Sequence, residues 1–282
     1  MSIVSSHAGD LAFSPAAAKA PPARRRRLAR GRAVPLGRLL GPALLVVLWS
    51  LGSLLGLIDP RTLPAPWSVI GTAFELILDG RLQANLATSA IRVAQGLVIG
   101  TVIGTVLALI SGLSRIGEAV IDGPVQIKQA VPTLALIPLL MLWFGIGETM
   151  KVVVIVLAVA VPIYIQTHDS LRSIDNRYVE LARTLRMGYP EFIRQVILPG
   201  ALPGFFVGLR FATAHAWLAL VVVEQINATS GIGYMIDLAR SYGQIDIILV
   251  GIVLYAVLGL ISDGVVRFLQ QRALSWRRTL AD

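Results

Sequence analysis

The sequence predicts an all-α polytopic membrane protein with six transmembrane helices. Three observations carry that prediction. Of 282 residues, 55% are hydrophobic and 15% charged, with a mean hydropathy of +0.74, which is more apolar than one soluble core can hide. Apolar runs near the roughly 20 residues that cross a bilayer, where each backbone amide must find a partner within its own helix, recur along the chain. The basic residues are distributed so that alternate connections are rich and poor in them.

Residues 1–38 are rich in Ala, Pro, Ser and Arg without periodicity and read as a disordered basic cytoplasmic tail, with no cleaved leader expected. The six spans fall near 39–58, 88–111, 124–145, 152–168, 203–227 and 247–266, and 271–282 forms a second tail; 39–270 is the transmembrane domain. With the amino terminus inside, eighteen of the Lys and Arg residues lie on the inner side and four, Arg61, Arg81, Lys151 and Arg240, on the outer. Both termini are therefore expected in the cytoplasm, and "RRRRLARGR" reads as a topological anchor rather than a nucleic-acid site.

In the second span Gly96, Gly100 and Gly104 recur every four residues and set small side chains on one face, a seam where another helix backbone can approach closely. A phosphate cradle does not fit: none of the three lysines follows a glycine, and no GxxxxGK[ST] exists anywhere in the chain. Pro132 and Pro138 in the third span and Pro162 in the fourth each remove a helical hydrogen bond and should bend their helices. With no cysteine, disulfides and thiol nucleophiles are excluded. No catalytic residue and no metal site is expected, because the three histidines are scattered and no acid–base set converges.

Charges inside spans are costly, roughly 2.5–3.5 kcal/mol each on insertion scales, and usually face protein or water. Arg92, Lys128 and Arg210, with Glu224 and Asp263 nearer the span ends, are such positions. Lys128 and Arg210 lie about two turns from the inner surface, where long side chains also snorkel to water. Thr213, His215 and Trp217 sit mid-span, beyond headgroup reach; a histidine there serves either packing or a passing polar solute. Neither Glu224 nor Asp263 is placed mid-membrane as a coupling-ion carboxylate, which disfavours a secondary transporter.

The longest inner connection is amphipathic. It reads as two short helices, Tyr178–Arg186 and Pro190–Val196, with a turn at Gly188 and Pro190. Tyr178, Leu181, Ala182 and Leu185 form an apolar stripe while Glu180, Arg183 and Arg186 point elsewhere. Such an ordered loop suits docking by a cytoplasmic protein, with the lipid surface as the alternative.

"ELA" at Glu180–Ala182, followed by "ILPGALP", resembles the EAA loop of permease subunits of binding-protein-dependent ABC importers. "SGLSR" at 111–115, "VPTLALIPLLMLWFGIGE" at 131–148, "VPIYIQT" at 161–167, "GLRFA" at 208–212 and "SGIGY" at 230–234 are similar to the sulfonate, taurine and nitrate branch, most of all to aliphatic sulfonate permeases. The resemblance covers about residues 40–275. It implies a type I importer transmembrane domain, with its core at about 85–268 and coupling helices at about 178–196. It further implies a homodimer in the bacterial inner membrane, a cytoplasmic ATPase subunit that uses ATP and Mg, and a periplasmic solute-binding protein. Glu180, Leu181, Ala182, Arg183, Leu185, Gly188, Leu198 and Pro199 would couple to the ATPase. The solute would be small and anionic, an aliphatic sulfonate first, with taurine, nitrate, bicarbonate, a thiamine or pyrimidine precursor, or an aromatic acid as alternatives. Arg92, Lys128, Arg210, Thr213, His215 and Trp217 would be its path. The family places glycine six residues after the motif glutamate, where this chain has Arg186; the turn is expected to slip to Gly188.

Overall fold

The computed structural model describes residues 37–276, so residues 1–36 of the expected basic tail at 1–38, and the last six residues, lie outside the described residues; the tail's last two positions belong to a helix. The chain divides at Val46 into two units. The described part of the first is the opening of α1 (Gly37–Leu54), an apolar helix. From Val47 onward the second unit holds everything else. α1 falls on the first expected span, but its apolar stretch Leu40–Leu54 is shorter than a full crossing needs.

α2 (Pro66–Leu78) starts with Pro66, whose missing amide is harmless in a first turn, and leads through Gly80 (φ +73°) into α3 (Arg81–Leu113). α3 begins seven residues earlier than the second expected span. Ser114 caps α4 (Arg115–Ala130) by accepting the Gly117 amide. A 3₁₀ turn at Thr133–Leu136 then precedes α5 (Ile137–Phe144). α6 (Glu148–Arg172), α7 (Asn176–Thr184) and α8 (Tyr189–Phe192) follow. A π-helical turn, Ile193–Ile197, joins α8 to α9 (Leu198–Asn227), and α10 (Ile232–Ser241) and α11 (Ile245–Ala273) complete the order.

Among the described residues, four helices are long and apolar enough to cross a membrane, and a fifth crossing is counted if α4 and the Thr133–Phe144 segment, bent by 93°, form one span. The expected third span at 124–145 is therefore not one helix. The break sits at Val131, which adopts φ −89°, ψ 118° because the ring of Pro132 disfavours helical geometry in the residue before it. Pro138 causes no bend, since it occupies the first turn of α5, where its amide would be unused. Pro162 lies inside α6, which continues as a single helix past it.

The expected separation of a second short helix from the fifth span is also corrected. Tyr189–Ile226 is one continuous helical rod of 38 residues. Pro199 has no amide to return to Gln195, and the ladder widens there: the Leu198 amide donates to the Ile193 carbonyl, five residues back.

α3, α6 and α9 form the central bundle. A Cβ on Gly100 would stand 2.7 Å from Val159 and 2.9 Å from the Val156 carbonyl, and one on Gly104 would meet Ile163 at 2.9 Å; Gly96 likewise faces Ile155. The glycine seam is thus where α3 lies on α6. Ile155, Val159, Ile163, Ala212, Ala216, Leu220 and Val223 fill the centre behind it. At the end near Glu148, α2, α10 and α11 share a second cluster around Leu76, Ile236 and Val250. At the opposite end Leu171, Ile197 and Ala201, with Ile174 and Phe192 against them, anchor the α7–α8 segment to the bundle.

Candidate functional site

The amphipathic segment at the α7 end presents a built surface. Asp175 caps α7 by accepting the Arg177 amide. Ala182 turns inward and is buried, whereas Tyr178, Leu181, Leu185 and Tyr189 project outward, each more than half exposed. Glu180 and Arg183 are exposed beside them. The helix closes with the Arg186 amide donating to the Arg183 carbonyl and the Met187 amide to the Ala182 carbonyl, both 3.0 Å. That pair of bonds requires a left-handed residue at the position after the cap, and Arg186 supplies it at φ +51°. The turn has therefore not slipped: Arg186 takes the glycine's conformation itself, and Gly188 is ordinary extended backbone at φ −67°, ψ 151°. Leu198 is exposed beyond the π turn. Pro199 lines a cavity of about 600 Å³ behind α7 together with Tyr178, Gln195 and Trp276.

The candidate solute-path residues do not form one site. Arg210, Thr213 and Trp217 line a common cavity of about 630 Å³ between α9 and α11. There Arg210 Nε donates to Asp263 at 2.6 Å, Asp263 also takes Arg267 at 2.5 Å, and Trp217 Nε1 donates to Ser262 at 3.1 Å. Thr213 returns its hydroxyl to the Leu209 carbonyl. His215 is exposed, outside that lining, with Nδ1 2.8 Å from the Phe211 carbonyl of its own helix. Lys128 donates to Thr133 across the α4 break.

Arg92 is not a free cation. Its guanidinium is 2% exposed and is shared by two carboxylates: Nε and Nη2 grip Glu148 at 2.6 Å each, and Nη1 donates to Glu224 at 2.7 Å and to the Ser230 carbonyl at 2.6 Å. Glu224, 1% exposed, also accepts from the Ser89 hydroxyl (2.8 Å), the Gly233 amide (2.8 Å) and the Tyr255 hydroxyl (3.2 Å). Lys151 reaches Glu148 at 2.8 Å. Four charges thus balance in a cluster joining α3, α6, α9, α10 and α11, three of them buried and the fourth, Glu148, at its open edge; pairing is the condition under which such burial is tolerable. The "SGIGY" motif is shaped around it. Gly231 stands at φ +117°, and a side chain there would collide with the Glu224 carboxylate.

Sequence reasoning named Arg92 and Glu224 separately and missed that they pair. It missed Glu148, Ser89 and Tyr255 altogether. The available signal was the pair of glycines in "SGIGY", close after Glu224.

Comparison with known proteins agrees with this architecture. The family described as "Binding-protein-dependent transport system inner membrane component" matches residues 100–275. The "Putative aliphatic sulfonates transport permease protein SsuC" of Escherichia coli (strain K12) is 45% identical over 83% of this chain and 89% of its own, and that of Bacillus subtilis (strain 168) is 37% identical over 86% and 87%. An amino acid ABC transporter solved with histidines superposes with a TM-score of 0.57 at 18% identity, covering 72% of this chain and 96% of that one, and shares the fold. This chain belongs to the inner membrane components of binding-protein-dependent transport systems.

Proposed function

We propose that this chain is the solute-conducting subunit of an ATP-driven importer for aliphatic sulfonates. It works as a homodimer in contact with membrane lipid and with both termini in the cytoplasm. As a member of its family it is a transport component, and ATP hydrolysis belongs to separate subunits. The observation that carries the proposal is the exposed apolar row Tyr178, Leu181, Leu185 and Tyr189 on a capped helix bonded into the bundle, at the end where a nucleotide-hydrolysing partner would grip it. Closure of two ATPase subunits, using ATP and Mg, would load α7–α8, and the bundle would answer as a rigid body that alternates access. A periplasmic binding protein would deliver solute at the Glu148 end. The anionic, aliphatic character of the solute is taken from the two relatives' names together with the basic and apolar groups of the α9–α11 cavity: Arg210 offers the charge and Val207, Phe211 and Trp217 the apolar wall.

The test is reconstitution of the permease with its ATPase and binding protein in proteoliposomes. Labelled ethanesulfonate should accumulate against its gradient only with ATP and only when all three proteins are present. Uptake by the permease alone, or accumulation of taurine or nitrate but not ethanesulfonate, would overturn the reading.

A further inference from the structure

The two carboxylates on Arg92 are held very differently. Glu224 is enclosed and takes four protein donors, while the side chain of Glu148 is 60% exposed and is held only by Arg92 and Lys151, whose own side chains are 3% exposed each. Glu148 opens α6 directly after Gly145 (φ +72°) and Gly147, around which a side chain would meet nothing within 4 Å. A fixed counter-ion therefore sits on one side of the guanidinium, and a largely exposed carboxylate sits on the other.

Glu148 also closes the end of a groove of about 500 Å³ between α3 and α6, walled by Gln95, Ile99, Ile103, Val152 and Val156. The carboxylate that closes this mostly apolar slot is held by two buried cations behind it, Arg92 and Lys151, a pairing of charge and apolar wall that suits an anion carrying an alkyl chain. The Nε and Nη2 fork accepts any planar pair of oxygens, sulfonate as well as carboxylate. We infer that Arg92 and Lys151 form an anion site in which Glu148 is the resident occupant, and that the head of a soluble aliphatic anion exchanges with the Glu148 carboxylate while its tail lies along Ile99 and Val156. The identity of the solute rests on the importer reading; the site does not.

The exchange has a physical reason. An empty site would leave Lys151 buried without a carboxylate and Arg92 with Glu224 alone, two cations against one anion, which costs several kcal/mol. With Glu148 in place no step exposes a bare buried charge, because the incoming anion replaces one negative charge with another as the carboxylate swings into water. The tethered competitor also lowers net affinity, as a site on a route must release what it binds. The occupant is a soluble molecule rather than a phospholipid, since the groove has room for a head and one short chain but not for two long ones.

The chain has no cysteine, so Glu148→Cys is a single reporter on the permease, read on its own band after labelling of the intact permease–ATPase complex. The anionic 2-sulfonatoethyl methanethiosulfonate should label it at least about tenfold faster than the cationic trimethylammonioethyl reagent, because Lys151 loses its carboxylate and Arg92 one of its two. Millimolar hexanesulfonate should slow labelling, and Lys151→Gln in the same background should shrink the preference. Thr149→Cys, facing the groove beside the site, should show a weaker preference. Equal rates for the two reagents, or no protection, overturn the site. Protection in phosphatidylglycerol nanodiscs but not by hexanesulfonate overturns it in favour of lipid. Glu148→Gln gives a measurement that does not depend on the cysteine variant: hexanesulfonate should bind the purified complex more tightly with the competing charge removed, and unchanged or weaker binding counts against exchange. A complex that drives ATP-dependent uptake yet fails these tests refutes the site alone. Preference and protection without any ATP-driven uptake refute the importer reading and leave the site standing.

Discussion

Gly233 donates its amide to Glu224 at 2.8 Å and lies so close that a Cβ would stand 2.5 Å from the Glu224 Cβ. The motif backbone and the buried carboxylate have room only for each other. Glu224→Ala removes the acceptor for Arg92, Ser89, Gly233 and Tyr255 at once and should cost about 3–5 kcal/mol. Glu224→Gln keeps the volume and should lose less. Thermal unfolding in detergent should rank wild type above Gln above Ala; equal midpoints would mean the cluster contributes nothing to stability.

The α3–α6 seam predicts a contrast between glycines. Gly100→Ala forces a methyl against Val159 and should destabilise by about 1–3 kcal/mol. Gly123, in α4, meets nothing within 4 Å, so Gly123→Ala should be neutral or stabilising by up to about 1 kcal/mol through helix propensity. The same unfolding assay reads both, and similar losses at the two positions would contradict the seam.

At the end of α7, Arg186 carries the cost of a left-handed backbone. Arg186→Gly relieves that cost against a smaller loss of unfolded-chain entropy, for a net gain of about 0.5–1 kcal/mol. Amide exchange across 182–188 should slow about two- to fivefold in the isolated permease. Faster exchange would show that the arginine side chain stabilises the turn in another way.

Docking is separable from folding because Leu181 is exposed. Leu181→Asp should leave membrane insertion and melting unchanged within about 0.5 kcal/mol, as surface changes usually do. Co-purification with the ATPase should fall at least about tenfold, the loss expected when an apolar contact is replaced by an unpaired, desolvated charge. Glu180→Leu tests the polar edge of the same surface. Retained co-purification in both variants would move docking elsewhere.

In the α9–α11 cavity, Arg210→Gln should depress uptake more than assembly, while Asp263 keeps Arg267 as its partner. His215, bonded only within its own helix and outside the cavity lining, should tolerate Ala with a smaller effect on uptake. The reverse order would shift the solute path to the His215 face.

Much of this architecture could be read from local pattern. The spacing of Gly96, Gly100 and Gly104 identified a packing face because a helix repeats every few residues, and the amphipathic stretch around Leu181 declared itself against hydrocarbon neighbours. The charged cluster could not be read the same way. Arg92 and Glu224 are 132 positions apart, and the one local sign, the glycines of "SGIGY" after Glu224, marks a crowded carboxylate without naming its partner. Proline gave only half its message: Pro132, Pro138 and Pro162 look alike in sequence, but one breaks a helix, one begins a helix and one is carried inside, according to where in a helix the ring falls. The short helices α2 and α10 were absent from a count of spans because neither is long enough to register as one.

The uninterrupted run from Tyr189 to Ile226 measures roughly 57 Å at 1.5 Å per residue. A strut of that length tilts as a unit, so a nudge of a few degrees at Phe192 is magnified into a displacement of several ångströms at Glu224. The widened coil before Pro199 is the compliant point of the strut, and its stiffness sets how much of a stroke delivered at one face of the membrane reaches the other.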